Sequence, residues 1–177
     1  DPSTGRTLWQ SESADAGLTW APPHPVTIRG LHAREHTVGT HLPPSNGRQL
    51  RHNFSGGGGG GGGYLAGRLM VVLILENHCR KDVVLYSDNG GRSWNMSETR
   101  IADNGEAQVV ELAPGVVLFD GRSSVPGNKR GVAPSADGGV SFGQTRFAGD
   151  ASSGVSCLAS ILALPLPLPL PHRRLPL

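Results

Sequence analysis

The octapeptide SADAGLTW, Ser13 to Trp20, returns as SDNGGRSW, Ser87 to Trp94, and again as SADGGVSF, Ser135 to Phe142. The shared skeleton is Ser-x-Asp/Asn-x-Gly-x-Thr/Ser-Trp/Phe. Each residue type has a mechanical use. Asp15, Asn89 and Asp137 carry a side-chain oxygen that accepts from backbone amides two residues on, an Asx-type turn. Gly17, Gly91 and Gly139 supply a positive φ at low steric cost. Ser13, Ser87 and Ser135 offer hydroxyls to the same loop. Trp20, Trp94 and Phe142 are expected to begin the next strand and bury an aromatic ring. The skeleton therefore predicts three hairpin loops that satisfy their own polar groups and are anchored by an aromatic. Asn89 keeps the acceptor oxygen, so the second copy folds like the others.

Outward from the loops, the middle of the chain carries short aliphatic runs. These are RLMVVLIL (Arg68 to Leu75), DVVLYS (Asp82 to Ser87), AQVVEL (Ala107 to Leu112) and GVVLFDGRS (Gly115 to Ser123). Turn residues bound each run: Asn89-Gly90-Gly91, Asp103-Asn104-Gly105, Pro114-Gly115, Pro126-Gly127-Asn128 and Asp137-Gly138-Gly139. Short strands at regular spacing with turn signals indicate an all-β chain. No segment holds a helical period over a helix length. Repetition every few tens of residues indicates stacked or radial units such as propeller blades.

The chain has 177 residues, 26 of them Gly and 14 Pro, and a formal net charge of +2. That length is enough for one ordinary domain. The charge is too small to indicate a nucleic-acid or membrane partner. Cys79 and Cys157 show neither metal spacing nor a disulfide framework, so the redox compartment stays open. His32, His36 and His41 fit no standard zinc spacing and read as loop histidines. No run of about 18 apolar residues marks a transmembrane helix. The first residues lack the basic and apolar regions of a signal peptide. Without an initiator Met the chain reads as an internal piece of something longer, and its localisation is left open.

Two segments stand apart. Gly56 to Gly63 is an unbroken glycine run within a loop insertion at 55–63, with the greatest backbone entropy to lose on ordering. From Leu162 the chain reads LALPLPLPLPHRRLPL. Alternating Leu and Pro sustains neither a helix nor a sheet ladder. This tail reads either as a translated intron or frameshift or as a disordered Pro-rich tether. The expected organisation is a propeller portion over 1–161 and a low-complexity tail over 162–177.

The three octapeptides resemble the Asp boxes of sialidases, SxDxGxTW. In that family they join the third and fourth strands of blades of a six-bladed β-propeller, away from the active site. This length corresponds to about three blades. Between the second and third copies, NGEAQVVELAPGVVLFDGRS (Asn104 to Ser123) resembles the sialidase segment E-x-Q-V-V-E-L, a turn, an apolar strand, then R-S. The resemblance implies that Glu106 is the catalytic Glu, the base for a nucleophilic tyrosine, with Gln108 and Glu111 following in the motif. Sialidases depart from the usual carboxylate nucleophile of glycosidases. Sialic acid carries a carboxylate beside the reacting carbon, so an attacking carboxylate would meet like-charge repulsion. Arg122 matches one of three arginines that grip the substrate carboxylate, a task suited to a guanidinium fork.

Upstream, PPSNGRQLRHN (Pro43 to Asn53) followed by AGRLMVV (Ala66 to Val72) resembles G-P-x-x-G-I-Q-L … G-R-L-V-V-P. Arg48 stands at the usual Ile and Leu73 at a common Pro. Gln49 is a possible pocket residue. Downstream, GVSCLASIL (Gly154 to Leu162) resembles the Cys-x-x-Ser entry into a further blade. The implied activity is that of a retaining exo-α-sialidase acting on sialylated glycoproteins, glycolipids or oligosaccharides, without a cofactor. A non-catalytic Asp-box propeller used as a binding module is the alternative. The family's general-acid Asp, two further arginines and nucleophilic Tyr have no match here, so the chain alone is expected to be inactive. Taken in isolation, Glu106 reads as a solvated charge in an Asp-Asn-Gly-Glu turn, and Arg122 as a member of a surface ion pair, for which Asp120 is one candidate partner.

Overall fold

The computed structural model describes residues 8–31, 42–43, 46–55, 66–75, 81–102, 104–123, 130–147 and 160–163. Every regular element among them is a strand, and none is a helix. Among the described residues no helix is long and apolar enough to cross a membrane.

Two antiparallel blades dominate. The first is built from β4 (Arg48–Gln49), β5 (Leu69–Leu75), β6 (Lys81–Ser87) and β7 (Trp94–Met96). The second is built from β9 (Asn104–Ala113), β10 (Val116–Ser123), β11 (Arg130–Ser135) and β12 (Arg146–Phe147), hydrogen-bonded in that order. A two-stranded hairpin, β1 (Trp9–Gln10) with β2 (His24–Pro25), precedes them. Two short elements modify the first blade. β3 (Ile28–Arg29) adds to β7 in parallel, and β8 (Ile101–Ala102) pairs with β6 beyond β7. The chain between β7 and β8 makes a detour, and Ser97 holds it to β6 by exchanging hydrogen bonds with Val84. The molecule is thus an all-β partial propeller: two four-stranded blades and the outer hairpin of another.

The four aliphatic runs of the sequence are β5, β6, β9 and β10, with ends within three residues of those expected. β9 is longer than its run, because Asn104 and Gly105 belong to the strand rather than to a turn. Alternation then divides the core in two. Met70, Val72, Val84, Ala107, Val109, Val117 and Phe119 fill the space between the blades. Phe119 and Phe142 meet there edge to face, with ring centroids 6.2 Å apart. Leu73, Leu75, Val83 and Leu85 face the other way, toward Leu8, Ile28 and Trp94. The position where Pro was common, Leu73, is fully buried in this second cluster.

The three octapeptides occupy equivalent places: Ser13–Trp20 joins β1 to β2, Ser87–Trp94 joins β6 to β7, and Ser135–Phe142 joins β11 to β12. Their internal bonding is the same but differs from an Asx turn. The Asp or Asn oxygen accepts from the amide four residues on, that of Thr19, Ser93 or Ser141, at 2.8 to 3.0 Å. The Ser hydroxyl accepts from the amide two residues on, at 3.4 Å. It accepts from the Gly amides of Gly17, Gly91 and Gly139 and donates to the Asp or Asn side chain. The glycines at 17, 91 and 139 have φ of 90°, 87° and 87°. The preceding residue is also left-handed in each loop: Ala16, Gly90 and Gly138.

The aromatic anchors differ from the expectation. Phe142 is buried in the inter-blade core, yet it precedes β12 rather than starting it. Trp94 does start β7, and its indole N–H donates to the Gln10 side-chain oxygen at 3.0 Å. Trp20 is 64% exposed and lies outside a strand. The hairpin it belongs to pairs only two strands among the described residues, with no packed surface among them to receive its ring.

The glycine run, Tyr64, Cys79, Cys157, the three loop histidines and residues 164–177 lie outside the described residues.

Candidate functional site

β9 and β10 are joined by the turn at Pro114-Gly115, and their pairing turns irregular near the other end, around Glu106 and Arg122. The register shows why this end is unusual. Asp120 pairs with Gln108, but Arg122 pairs with Gly105. Glu106 and Ala107 therefore oppose the single residue Gly121, a β-bulge. Glu106 absorbs the extra residue with φ of 45°, a region an L side chain seldom adopts. Such strain costs on the order of 1–3 kcal/mol and persists only where the surroundings impose it.

The bulge aims Glu106 at Arg122. Glu106 Oε1 lies 3.5 Å from Arg122 Nη1, with the side chains 31% and 40% exposed. The other oxygen, Glu106 Oε2, is buried and accepts no hydrogen bond among the described residues. An unsatisfied buried acceptor costs about 1–3 kcal/mol. Strain and an empty acceptor thus coincide on one side chain. Neither simpler reading of the pair describes this arrangement. Glu106 lies within a strand, and the partner of Asp120 is Arg130, at 3.0 Å, not Arg122.

The third octapeptide loop lies at the opposite end of the blade. β11 pairs Arg130 with Arg122 and ends at Ser135, which pairs with Val117. Five residues of strand, roughly 17 Å, separate the Glu106–Arg122 pair from the third loop. That loop abuts the β9–β10 turn, where the amide of Gly138 donates to the carbonyl of Gly115.

Gln49 is elsewhere. It is an exposed residue of β4, paired with Leu69, and it lines a cleft of about 940 Å³ with Arg51, His52, Glu111 and Leu162. Glu111 holds the chain that leaves β4. Its carboxylate accepts from the amides of Arg51 and His52 and stands 3.3 Å from the His52 ring. Gln108 is buried, and its side-chain oxygen meets the amide of Ile161. Of the motif's three polar positions, only Glu106 meets Arg122 in this structure.

Two residues gain roles that the sequence did not single out. Arg48 donates to the carbonyls of Val109 and Ile161, tying β4 to β9 and to the segment 160–163. Arg68 forms a two-bonded ion pair with Asp88 at 2.6 and 2.8 Å, donates to the carbonyl of Gly138, and lies 4.5 Å above the Tyr86 ring. Tyr86 is a residue of β6, and burial raises its phenol pKa, with the Arg68 charge opposing the shift. Cation-retaining contacts of this kind need three-dimensional neighbours, so no local pattern announces them.

Comparison with known proteins follows the same lines. No family model matches the chain. The sialidase of Micromonospora viridifaciens is 31% identical over 156 residues, 86% of this chain and 22% of that protein. A sialidase of Bacteroides fragilis is 31% identical over 81 residues, 46% of this chain and 15% of that protein. The crystal structure of the NanB sialidase from Streptococcus pneumoniae superimposes with a TM-score of 0.60 at 24% identity, covering 80% of this chain and 19% of that one. The chain therefore spans about a fifth of the length of these relatives. Its sequence is related to sialidases, a class of glycoside hydrolase, and its fold is that of their propeller domains.

Proposed function

We propose that this chain is part of a retaining exo-α-sialidase that releases terminal sialic acid from glycoproteins, glycolipids or oligosaccharides. The observation that carries the reading is the bulge at Glu106. A strained backbone aims a carboxylate with one empty, buried oxygen at a half-exposed guanidinium. In the proposed mechanism the empty oxygen accepts the proton of a nucleophilic phenol, which requires a base within hydrogen-bond reach. Arg122 holds the carboxylate of the sugar through charge-assisted hydrogen bonds. The octapeptide loops act as structural hairpins at the far end, and Gln49 belongs to a separate cleft. Residues 1–161 form the propeller portion with its glycine-run insertion, and 162–177 fall outside the family pattern.

Neither tyrosine of the chain is assigned as the nucleophile, since Tyr86 lies against Arg68 within β6. Purified chain alone is expected to leave a fluorogenic sialoside uncleaved. Turnover that Glu106→Gln abolishes would contradict the division of the catalytic unit. The direct test is a chimera in which residues 104–123 replace the matching segment of the Micromonospora viridifaciens sialidase. The chimera should hydrolyse the sialoside, and Glu106→Gln within the insert should lower kcat by about a hundredfold or more. A folded chimera without activity would overturn the reading and favour a non-catalytic propeller.

A further inference from the structure

Beside the bulge sits a buried ion pair that the proposed chemistry does not use. Arg130 and Asp120 are 5% and 8% exposed. Arg130 Nε donates to Asp120 Oδ1 at 3.0 Å, and Arg130 Nη2 donates to the main-chain carbonyl of Asp120 at 3.3 Å. The positions matter more than the pair itself. Asp120 is the last residue of β10 in regular register with β9 before the bulge, and Arg122 is the first after it. Arg130 pairs backbone to backbone with Arg122. One residue of β11 therefore grips the strand on both sides of Gly121: before it through a side chain and a carbonyl, after it through the ladder.

We propose that Asp120 and Arg130 are positioning residues that staple the bulge, fixing the distance between Glu106 and Arg122. The proposal rests on the reading of that pair as the centre that takes an anionic sugar. A bulge leaves its extra residue unpaired and the ladder locally disrupted, so in this proposal the segment relaxes when the hold on β10 is lost. Relaxation would return Glu106 to an ordinary φ and turn its side chain away from Arg122. The staple has an electrostatic part as well. Arg122 and Arg130 face each other across neighbouring strands, where like charges repel. The Asp120 carboxylate neutralises Arg130 and so reduces the repulsion that Arg122 meets.

The test uses the isotope-labelled full chain. Asp120→Asn removes the charge and keeps the shape. The double variant Asp120→Asn with Arg130→Gln leaves no unpaired buried charge, so it covers the case in which the single variant does not fold. NMR signals of Gly105, Glu106, Ala107, Gly121 and the Arg122 guanidinium report the bulge, and those of Gly139 and Ser141 in the distant loop serve as reference. In the variants the bulge signals should move and the Arg122 guanidinium protons should exchange about tenfold faster, with the reference signals unchanged. A purely structural pair would lower the melting temperature and leave the bulge signals in place, which would overturn the proposal. Sialic acid added to the wild-type chain separates the two claims. Bulge signals that respond to the variants but not to sialic acid would sink the sialidase reading and keep the staple. Signals that respond to sialic acid but not to the variants would do the reverse.

Discussion

At the scale of single residues, carboxyl environments divide the chain's acids into two groups. Asp82 in β6 is 0% exposed, flanked in the ladder by Ile74 and Ile101, and neither of its oxygens has a hydrogen-bond partner among the described residues. Burial pushes its pKa from 3.8 up to about 7. The folded state therefore holds this proton more tightly than the unfolded chain does. Stability is greatest below pH 4 on this account, falls as the pH rises toward 7, and is flat above it. The span corresponds to roughly 4 kcal/mol at most. Asp15 behaves oppositely. Hydrogen bonds from the Thr19 hydroxyl and amide, then from Ser13, lower its pKa to about 2. For Asp137, burial works to raise the pKa, but bonds from Ser141 and Ser135 prevail and lower it. The stabilisation from these two is lost only in acid below their ordinary range. Thermal melts from pH 4.5 to 8 should thus show falling stability in wild type, and Asp82→Asn should flatten the curve and raise the melting temperature at pH 8. An Asp82→Asn protein less stable than wild type at pH 8 would contradict this account.

At the scale of elements, the octapeptide loop separates backbone cost from packing cost. Ala16 holds a φ of 59° where the other two loops have Gly90 and Gly138. Ala16→Gly is expected to stabilise by up to about 1 kcal/mol, since a left-handed L residue costs about that much. Gly90 has a φ of 71° and nothing within 4 Å of a Cβ, so Gly90→Ala should cost only the backbone term, about 1 kcal/mol. At Gly139 an added Cβ would lie 2.1 Å from the methyl of Met70, itself in the core, so Gly139→Ala should cost about 2–4 kcal/mol. Chemical denaturation of the three variants orders them directly. The loops and the four long strands were legible because turn chemistry and aliphatic runs are local. The hydrogen-bond partners within the loop were not legible, since the Ser hydroxyl takes the Gly amide two residues after the Asp or Asn and leaves that side chain the amide four residues on. β4, β7, β8 and β12 hold only two or three residues each, and their pairing depends on neighbours distant in sequence. β11, RGVAPS, carries Gly131 and Pro134 and lacked an aliphatic run to mark it.

At the scale of the molecule, the two blades are fastened beside the octapeptide loops. Arg68 joins Asp88 of the second loop to the carbonyl of Gly138 in the third. Glu98 donates its amide to Val140, and the Thr99 hydroxyl bridges both backbone groups of Phe142. The Arg68 ion pair is asymmetric, with side chains 2% and 43% exposed. Arg68→Met leaves Asp88 to be hydrated and should cost about 1–2 kcal/mol, whereas Asp88→Ala takes the counter-charge from a buried guanidinium and should cost about 3–5 kcal/mol. Equal costs in denaturant melts would contradict the asymmetry. The candidate site was legible only in part at this scale. The motif named Glu106 and Arg122, but the bulge that joins them shows only in the pairing of β9 with β10 opposite Gly121. No local pattern placed Arg130 beside Asp120, or Gln49 in a different cleft.

The most direct measurement is an amide-resolved titration of the labelled chain with sialic acid and, in parallel, with its methyl ester, which lacks the negative charge. A carboxylate-specific centre at Glu106 and Arg122 predicts that the acid shifts the signals of Gly105, Glu106, Gly121 and Arg122 and that the ester leaves them in place. Equal responses to both compounds, or responses confined to the cleft between Gln49 and Glu111, would contradict it.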